Sequence, residues 1–231
     1  MALRVASLCG YLCSGDVVWR RGAGGDFDAH DWIQALKGKS FKGYAQVPVC
    51  GTTRRLSDEN ASDAIQWFGE MAAAYLSAKK IAGPLVIIPV PNSSSVINST
   101  VKPRTRKLAK ALAERLGKDG TVVLDCLRWK EDWGPASKGA GSRDAAKLYK
   151  NLAVLREHIS AFVNEVEDPE TYTVVLVDDV TTSGGHLQAC AAKLKKAGVV
   201  VDSVICGGRT IYDQKYKPFD VREEKLDEYE P

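Results

Sequence analysis

Four short apolar runs rich in β-branched residues punctuate the chain: LVIIPV from Leu85, TVVLDCL from Thr121, TVVLVD from Thr173 and VVVDSVIC from Val199. Each is nearly continuous rather than alternating, the pattern of a strand with both faces covered. Between them lie segments with apolar positions at helical spacing. From about Thr105 to Leu116, Leu108, Leu112 and Leu116 share one face, and Gly117 supplies a stop. From His186 to Ala197, the shared face holds Leu187, Cys190 or Ala191, and Leu194, with Gly198 behind it. Upstream, Ile65, Phe68, Ala72 and Leu76 form the stripe of a longer helix, with Ser57 or Asp58 to cap it and Gly83-Pro84 to end it. Strands alternating with helices predict crossover units, hence an open, twisted, parallel α/β sheet flanked by helices.

This pattern divides the chain into three parts. Residues 1–56 are less regular and glycine-rich, and read as a small accessory lobe or hood, or as irregular additions to the edge of the core. Residues 57–210 carry the α/β core. Residues 211–231 read as an acidic tail, since from Asp220 onward six acids face two bases, the pattern of a solvated, partly frayed segment.

Composition changes the picture little. With 231 residues, 45% hydrophobic and 26% charged, the chain can bury one sizeable core. A net charge of +3 is too balanced to argue for nucleic acid or a membrane surface. Of six cysteines, the closest pair, Cys9 and Cys13, lacks a second pair to complete a tetrahedral zinc site. Reduced, mostly buried thiols in a cytoplasmic protein are expected. The apolar N-terminal run is short and broken by Ser7 and Gly10, unlike a signal peptide, and no stretch approaches membrane-spanning length.

The candidate chemistry lies in TVVLVDDVTTSGGH. Ligands of an open parallel sheet bind beyond the carboxyl ends of its strands, where Asp178 and Asp179 are expected to stand. Thr181, Thr182, Ser183, Gly184 and Gly185 then lead into a helix beginning near His186. A hydroxyl-and-glycine turn before a helix N-terminus offers free N–H groups, close backbone approach and the positive end of the helix dipole, all suited to phosphate. The carboxylates would repel that phosphate, but they suit sugar hydroxyls or water around a cation. A phosphorylated sugar satisfies both.

VVLVDDVTTSGG closely resembles the phosphoribosyl-pyrophosphate signature of the type I phosphoribosyltransferases: four apolar residues, two acids, an apolar residue, then hydroxyls and glycine. LVIIPVPNSSS is similar to that family's pyrophosphate loop, with the Pro-Val-Pro wording nearest the competence protein F (ComF-like) branch. RWKEDWGPASKGAGSRDAAKLYKNLAV resembles the long flexible loop of that branch, placed at 128–143, with its R-x-x-N-L tail, and ICGGRT resembles the short A-R-T ending its last strand. The resemblance covers about residues 84 to 210.

It implies the type I phosphoribosyltransferase fold with an N-terminal hood, and transfer of a 5-phosphoribosyl group to a nucleobase or amine, with release of pyrophosphate. Asp178 and Asp179 would hold the ribose hydroxyls, and Thr181 through His186 the 5′-phosphate. Pro91, Asn92, Ser93 and Ser94 would contact pyrophosphate, with Ser95 as a further hydroxyl donor. Lys138 and Arg143 on the mobile loop, and Arg104 at the start of the basic run, would neutralise its charge. Mg²⁺ would be held through substrate oxygens and water rather than by direct protein ligands. The implied partners are phosphoribosyl pyrophosphate, a small-molecule acceptor and, as in many relatives, a second copy of the chain. A regulator that binds the same ligand without turnover, or a DNA-uptake accessory, is the competing expectation.

Other phosphate motifs fail. GKS at 38–40 lacks the first P-loop glycine, because position 33 is Ile33, and GAGGDF puts Phe27 where a dinucleotide fingerprint needs glycine. His30, His158 and His186 show no ligand spacing.

Overall fold

The computed structural model describes residues 2–13, 18–81, 83–117, 120–132, 134, 143–165, 168, 171–212 and 215–231. In chain order the elements are β1 (Leu3–Ser7), β2 (Gly10–Leu12), α1 (Asp26–Leu36), β3 (Tyr44–Val49), β4 (Thr52–Ser57), α2 (Asp63–Ala78), β5 (Leu85–Pro89) and α3 (Thr105–Leu116). They continue with β6 (Val122–Val123), β7 (Leu127–Trp129), α4 (Ala145–Asn151), β8 (Leu152–Val154), α5 (Arg156–Glu165), β9 (Thr173–Thr181), α6 (Gly185–Lys196), β10 (Ser203–Ile211) and β11 (Arg222–Leu226).

A mostly parallel central sheet runs in the order β11-β1-β10-β9-β5-β6, with β2 continuing the pairing to β10 beyond β1. Only β11 is antiparallel, against β1. Two antiparallel ribbons, β3–β4 and β7–β8, lie outside it. Helices cover both faces, which explains the continuous apolar runs: Val175 and Val177 of β9 pack with Trp32, Phe68 and Leu112 on one side, while Leu176 packs with Leu148, Leu187 and Leu194 on the other. Each such fully buried side chain contributes roughly 1.5–3 kcal/mol.

Several elements fall where the periodicity predicts. Strand β5 starts at Leu85, β9 at Thr173, and α3 covers Thr105–Leu116, ending on Gly117 in the left-handed region. Others differ for local reasons. The run from Thr121 splits, because Asp125 accepts two hydrogen bonds from the Arg128 guanidinium, at 2.5 and 3.1 Å, and turns the chain out of the sheet. The segment expected as a flexible loop over 128–143 therefore opens in strand β7, and its residues 133 and 135–142 lie outside the described residues. The run from Val199 enters the sheet only at Ser203, with Val200 exposed. Ser57 and Asn60 close a capping box around a single 3₁₀ turn, so α2 begins at Asp63 rather than after Ser57 or Asp58.

The two ends of the chain depart furthest from expectation. Residues 1–56 are no separate lobe: β1 and β2 lie in the main sheet, and Trp32 and Ile33 of α1 are fully buried in its core. The acidic segment, expected as a solvated, partly frayed tail, contains an edge strand at Arg222–Leu226, a position its charged residues suit.

Helices α2 and α3 meet at Gly69, where a Cβ would lie 2.5 Å from the Ala111 carbonyl oxygen. The carbonyl is helical backbone and a Cβ is fixed rigidly to the backbone of the other helix, so neither can swing aside. Gly69→Ala is expected to cost about 1–3 kcal/mol by overpacking, lowering the melting temperature by about 2–4 °C for each kcal/mol, as read by calorimetry.

Candidate functional site

Strand β9 delivers Asp178 and Asp179 to the carboxyl end of the sheet, where the chain turns into α6. Strand alternation sends them to opposite faces: Asp178 lies with Leu176 toward α6, and Asp179 with Val177 toward the start of α3. Both are buried. Asp178 Oδ1 accepts the Asp179 N–H at 2.8 Å. Desolvation, reinforced by the neighbouring Asp179 charge, pushes the Asp178 carboxyl well above the usual carboxylate range. The same desolvation, with Asp178 nearby, raises the thiols of Cys190 and Cys206.

Behind the pair, Thr181–Gly184 form the turn. Gly184 has φ of 81°, a left-handed conformation that favours glycine, and it immediately precedes α6. The N-cap residue Gly184 has no side chain to offer α6, and the Gly185 N–H makes only a long bond of 3.5 Å to Ser183 Oγ, so the positive end of the helix dipole lies at this turn beside the cleft. Gly185 is needed for a different reason, since a Cβ there would sit 2.1 Å from the Arg143 carbonyl oxygen. That contact brings the chain just before α4 against the turn.

A cleft of about 180 Å³ joins these groups, and its walls include Asp178, Asp179, Thr181–Gly184 and His186 together with Arg143. Both expected sugar residues, the expected phosphate residues other than Gly185, and Arg143 of the expected cations thus border one space. His186 is held edge-on to Trp129, with ring centroids 5.7 Å apart. Burial lowers its pKa; Asp179 opposes that shift and Arg143 reinforces it.

The expected pyrophosphate residues follow β5 and stand next to this cleft rather than in its wall. Asn92 organises them: its Oδ1 accepts from Ser95 Oγ at 2.9 Å and from the Arg104 N–H at 2.9 Å, while its Nδ2 donates to Ser94 Oγ at 2.6 Å. Pro91 uses its carbonyl to accept from Trp129 Nε1 at 3.1 Å, and Ser93 lies half-buried in the turn. Ser95 is fully buried, so it braces the turn instead of offering its hydroxyl to a ligand, a correction to the expectation for that residue. Arg104 reaches across to the cleft, its guanidinium donating to Asp179 Oδ2. Lys138 lies outside the described residues.

Three further cleft residues lie outside the expected ligand set. Tyr11, Lys37 and Thr210 come from β2, the end of α1 and β10. Their polar ends form a chain: Thr182 Oγ1 lies 3.0 Å from Thr210 Oγ1, which donates to Tyr11 Oη at 3.3 Å, and Lys37 Nζ donates to Tyr11 Oη at 3.4 Å. Thr210 closes the quoted ICGGRT and was findable there. Lys37 ends a helix that the periodicity did not single out. Trp129 is also unsignalled, yet it ties the Pro91–Ser95 turn to His186.

The GKS stretch belongs beside the site without being a P-loop, for a Cβ at Gly38 would lie 4.0 Å from Arg104 Cδ. Cys9, Cys126, Cys190 and Cys206 are buried as expected, whereas Cys13 and Cys50 are exposed. Trp32 and Trp67 are core residues. Among the described residues, no group of three or more His, Cys, Asp or Glu side chains could hold a metal ion, and no helix is long and apolar enough to cross a membrane.

Two larger cavities, of about 480 and 470 Å³, lie toward the opposite, amino-terminal ends of β1, β9 and β10. One is mainly apolar. In the other, Lys195 is already paired with Glu228 and Arg4 with the Asp202 carbonyl. Neither presents charged groups converging on a helix N-terminus.

A comparison with protein-family models finds no match, and a comparison with curated proteins finds none.

Proposed function

We propose that this protein is a cytoplasmic phosphoribosyltransferase, which binds phosphoribosyl pyrophosphate with Mg²⁺ and transfers the 5-phosphoribosyl group to a nucleobase or amine, releasing pyrophosphate. The observation that carries this reading is the single cleft in which two buried carboxylates near the end of β9 are followed within a few residues by a hydroxyl-and-glycine turn and the N-terminus of α6. Carboxylates alone would suit a cation, and a helix N-terminus alone an anion. A ligand that satisfies both at this spacing carries hydroxyls and a phosphate on one small frame.

The remaining groups fit the chemistry of that transfer. Substitution at the anomeric carbon passes through a state resembling an oxocarbenium ion, with negative charge growing on the departing pyrophosphate. Arg104, bonded to Asp179, and Arg143 and Lys37, in the cleft wall, are cations placed to meet that charge. Asp178 and Asp179 hold the sugar in register for attack. Two carboxylates without a third ligand fit Mg²⁺ bound largely through substrate oxygens and water, and the ion would supply charge neutralisation on the diphosphate.

The test is thermal. Phosphoribosyl pyrophosphate with Mg²⁺, at a hundredfold its dissociation constant, is expected to stabilise the protein by about 2.7 kcal/mol. Coupled detection of pyrophosphate across a panel of nucleobases and amines then identifies the acceptor. No stabilisation refutes the reading, and stabilisation without pyrophosphate release from any acceptor assigns binding without turnover.

A further inference from the structure

Arg104 and Asp179 belong to opposite halves of the proposed ligand, yet they hold each other. The guanidinium Nη2 donates to Asp179 Oδ2, and this pair spans from the start of α3 to the end of β9. A carboxylate engaged by a guanidinium is a poorer acceptor for a sugar hydroxyl, because the charge-assisted bond it already makes is about twice as strong as a neutral one.

The backbone at Arg104 is fixed, so the choice of partner lies with its side chain alone. Its N–H is held by Asn92 Oδ1 at 2.9 Å, and the next residue, Thr105, is buried and donates from Oγ1 to the Val90 carbonyl at 2.5 Å. Arg104 Cα is therefore anchored to the same turn that would receive pyrophosphate. Its Nε is buried and makes no hydrogen bond among the described residues, leaving one donor of the fork uncommitted. Gly38 faces the Arg104 stem, where a Cβ would lie 4.0 Å from Arg104 Cδ, and carries no side chain that could block rotation of that stem.

We propose that Arg104 makes the cleft select a ribose bearing a diphosphate at its anomeric carbon over ribose 5-phosphate. The inference rests on the phosphoribosyl reading above. A diphosphate gives the guanidinium a doubly charged partner and frees Asp179 for the sugar hydroxyls in one exchange. Ribose 5-phosphate offers no such partner, so its hydroxyls must compete with the ion pair. Arg104 is then a specificity-determining residue that discriminates against the hydrolysis product of the substrate, a step beyond simple attraction of pyrophosphate.

Simple attraction and exchange differ in sign for one ligand, and titration calorimetry with Mg²⁺ on the full chain separates them. For Arg104→Gln, exchange predicts that ribose 5-phosphate binds about tenfold tighter than to the wild type, while phosphoribosyl pyrophosphate binds about tenfold more weakly. Ribose 5-phosphate affinity that is unchanged or reduced in the variant overturns the exchange but leaves the phosphoribosyl reading intact. Failure of ribose 5-phosphate to bind the variant while phosphoribosyl pyrophosphate binds the wild type overturns the exchange alone, and failure of both ligands to bind either protein overturns the phosphoribosyl reading as well. A second measurement needs no variant: the Arg104 Nε–H resonance should move on addition of inorganic pyrophosphate and hold still on addition of ribose 5-phosphate. Equal responses to the two overturn the proposal.

Discussion

Asp178→Asn is expected to abolish detectable binding of ribose 5-phosphate and, in the same protein, to raise the melting temperature at neutral pH. Asn keeps an oxygen able to accept the Asp179 N–H that Asp178 Oδ1 accepts at 2.8 Å, so the local hydrogen bond survives. What disappears is a buried charge beside another acid. Relieving it is worth about 1–2 kcal/mol, or about 2–8 °C for a chain of this size.

The pH dependence gives the sign independently. Burial, with Asp179 second, raises the Asp178 pKa in the folded state above its unfolded value, which lies near the ordinary aspartate value of about 3.9. Between those two values the folded state binds more protons than the unfolded one, so stability falls as pH rises through that window. Below it, both states are protonated and the dependence vanishes. Wild-type stability should therefore increase from pH 8 toward pH 4 relative to Asp178→Asn, measured by denaturant titration at each pH. Parallel profiles for the two proteins would refute the buried-charge account.

The second large effect is expected at Gly185→Ala. The added methyl would meet the Arg143 carbonyl oxygen at 2.1 Å, with the backbone amide of Ala145 a further neighbour at 3.5 Å. Either the start of α6 or the chain ahead of α4 must move. In both cases the N–H groups proposed to cradle phosphate lose their setting, and Arg143 shifts away from the cleft. Ribose 5-phosphate affinity should fall by at least about tenfold, with a stability loss of about 1–3 kcal/mol. Binding within twofold of wild type by calorimetry would show that the turn tolerates the methyl and that these N–H groups are not the phosphate site.

The core of this fold was legible wherever residues obeyed a period. Covered strands produce continuous apolar runs, so β5 and β9 could be placed from Leu85 and Thr173, and α3 was bounded by its leucine stripe and Gly117. The candidate site was legible at β9 and the following turn because both lie in one contiguous stretch. Tyr11, Lys37 and Thr210 reach the same cleft from elements far apart in the chain, and only the topology β1-β10-β9 brings them together. No local pattern encodes that.

The N-terminal strands were hidden for a related reason. Strands β1 and β2 are each short and interrupted at Leu8 and Cys9, which lets two pieces pair successively with one edge of β10. The Arg222–Leu226 strand was hidden by its charges, since an edge strand has one side open to water and need not be apolar. At Ser95 the sequence is ambiguous, because a serine bracing a turn and a serine awaiting phosphate look alike in it. Only its burial and its bond to Asn92 tell them apart.

That edge strand also carries Leu226, whose Cδ1 lies 2.3 Å from where a Cβ of Gly184 would be. The residue shielding the rim of the sheet thus leans on the very bend proposed to grip phosphate. Fraying at this rim would reach the ligand directly, without any disturbance of the interior, and it would uncover the hydrogen-bonding groups of β1 to pairing with another molecule. If the turn grips phosphate as proposed, occupancy of the cleft and resistance to self-association would be joined through Leu226.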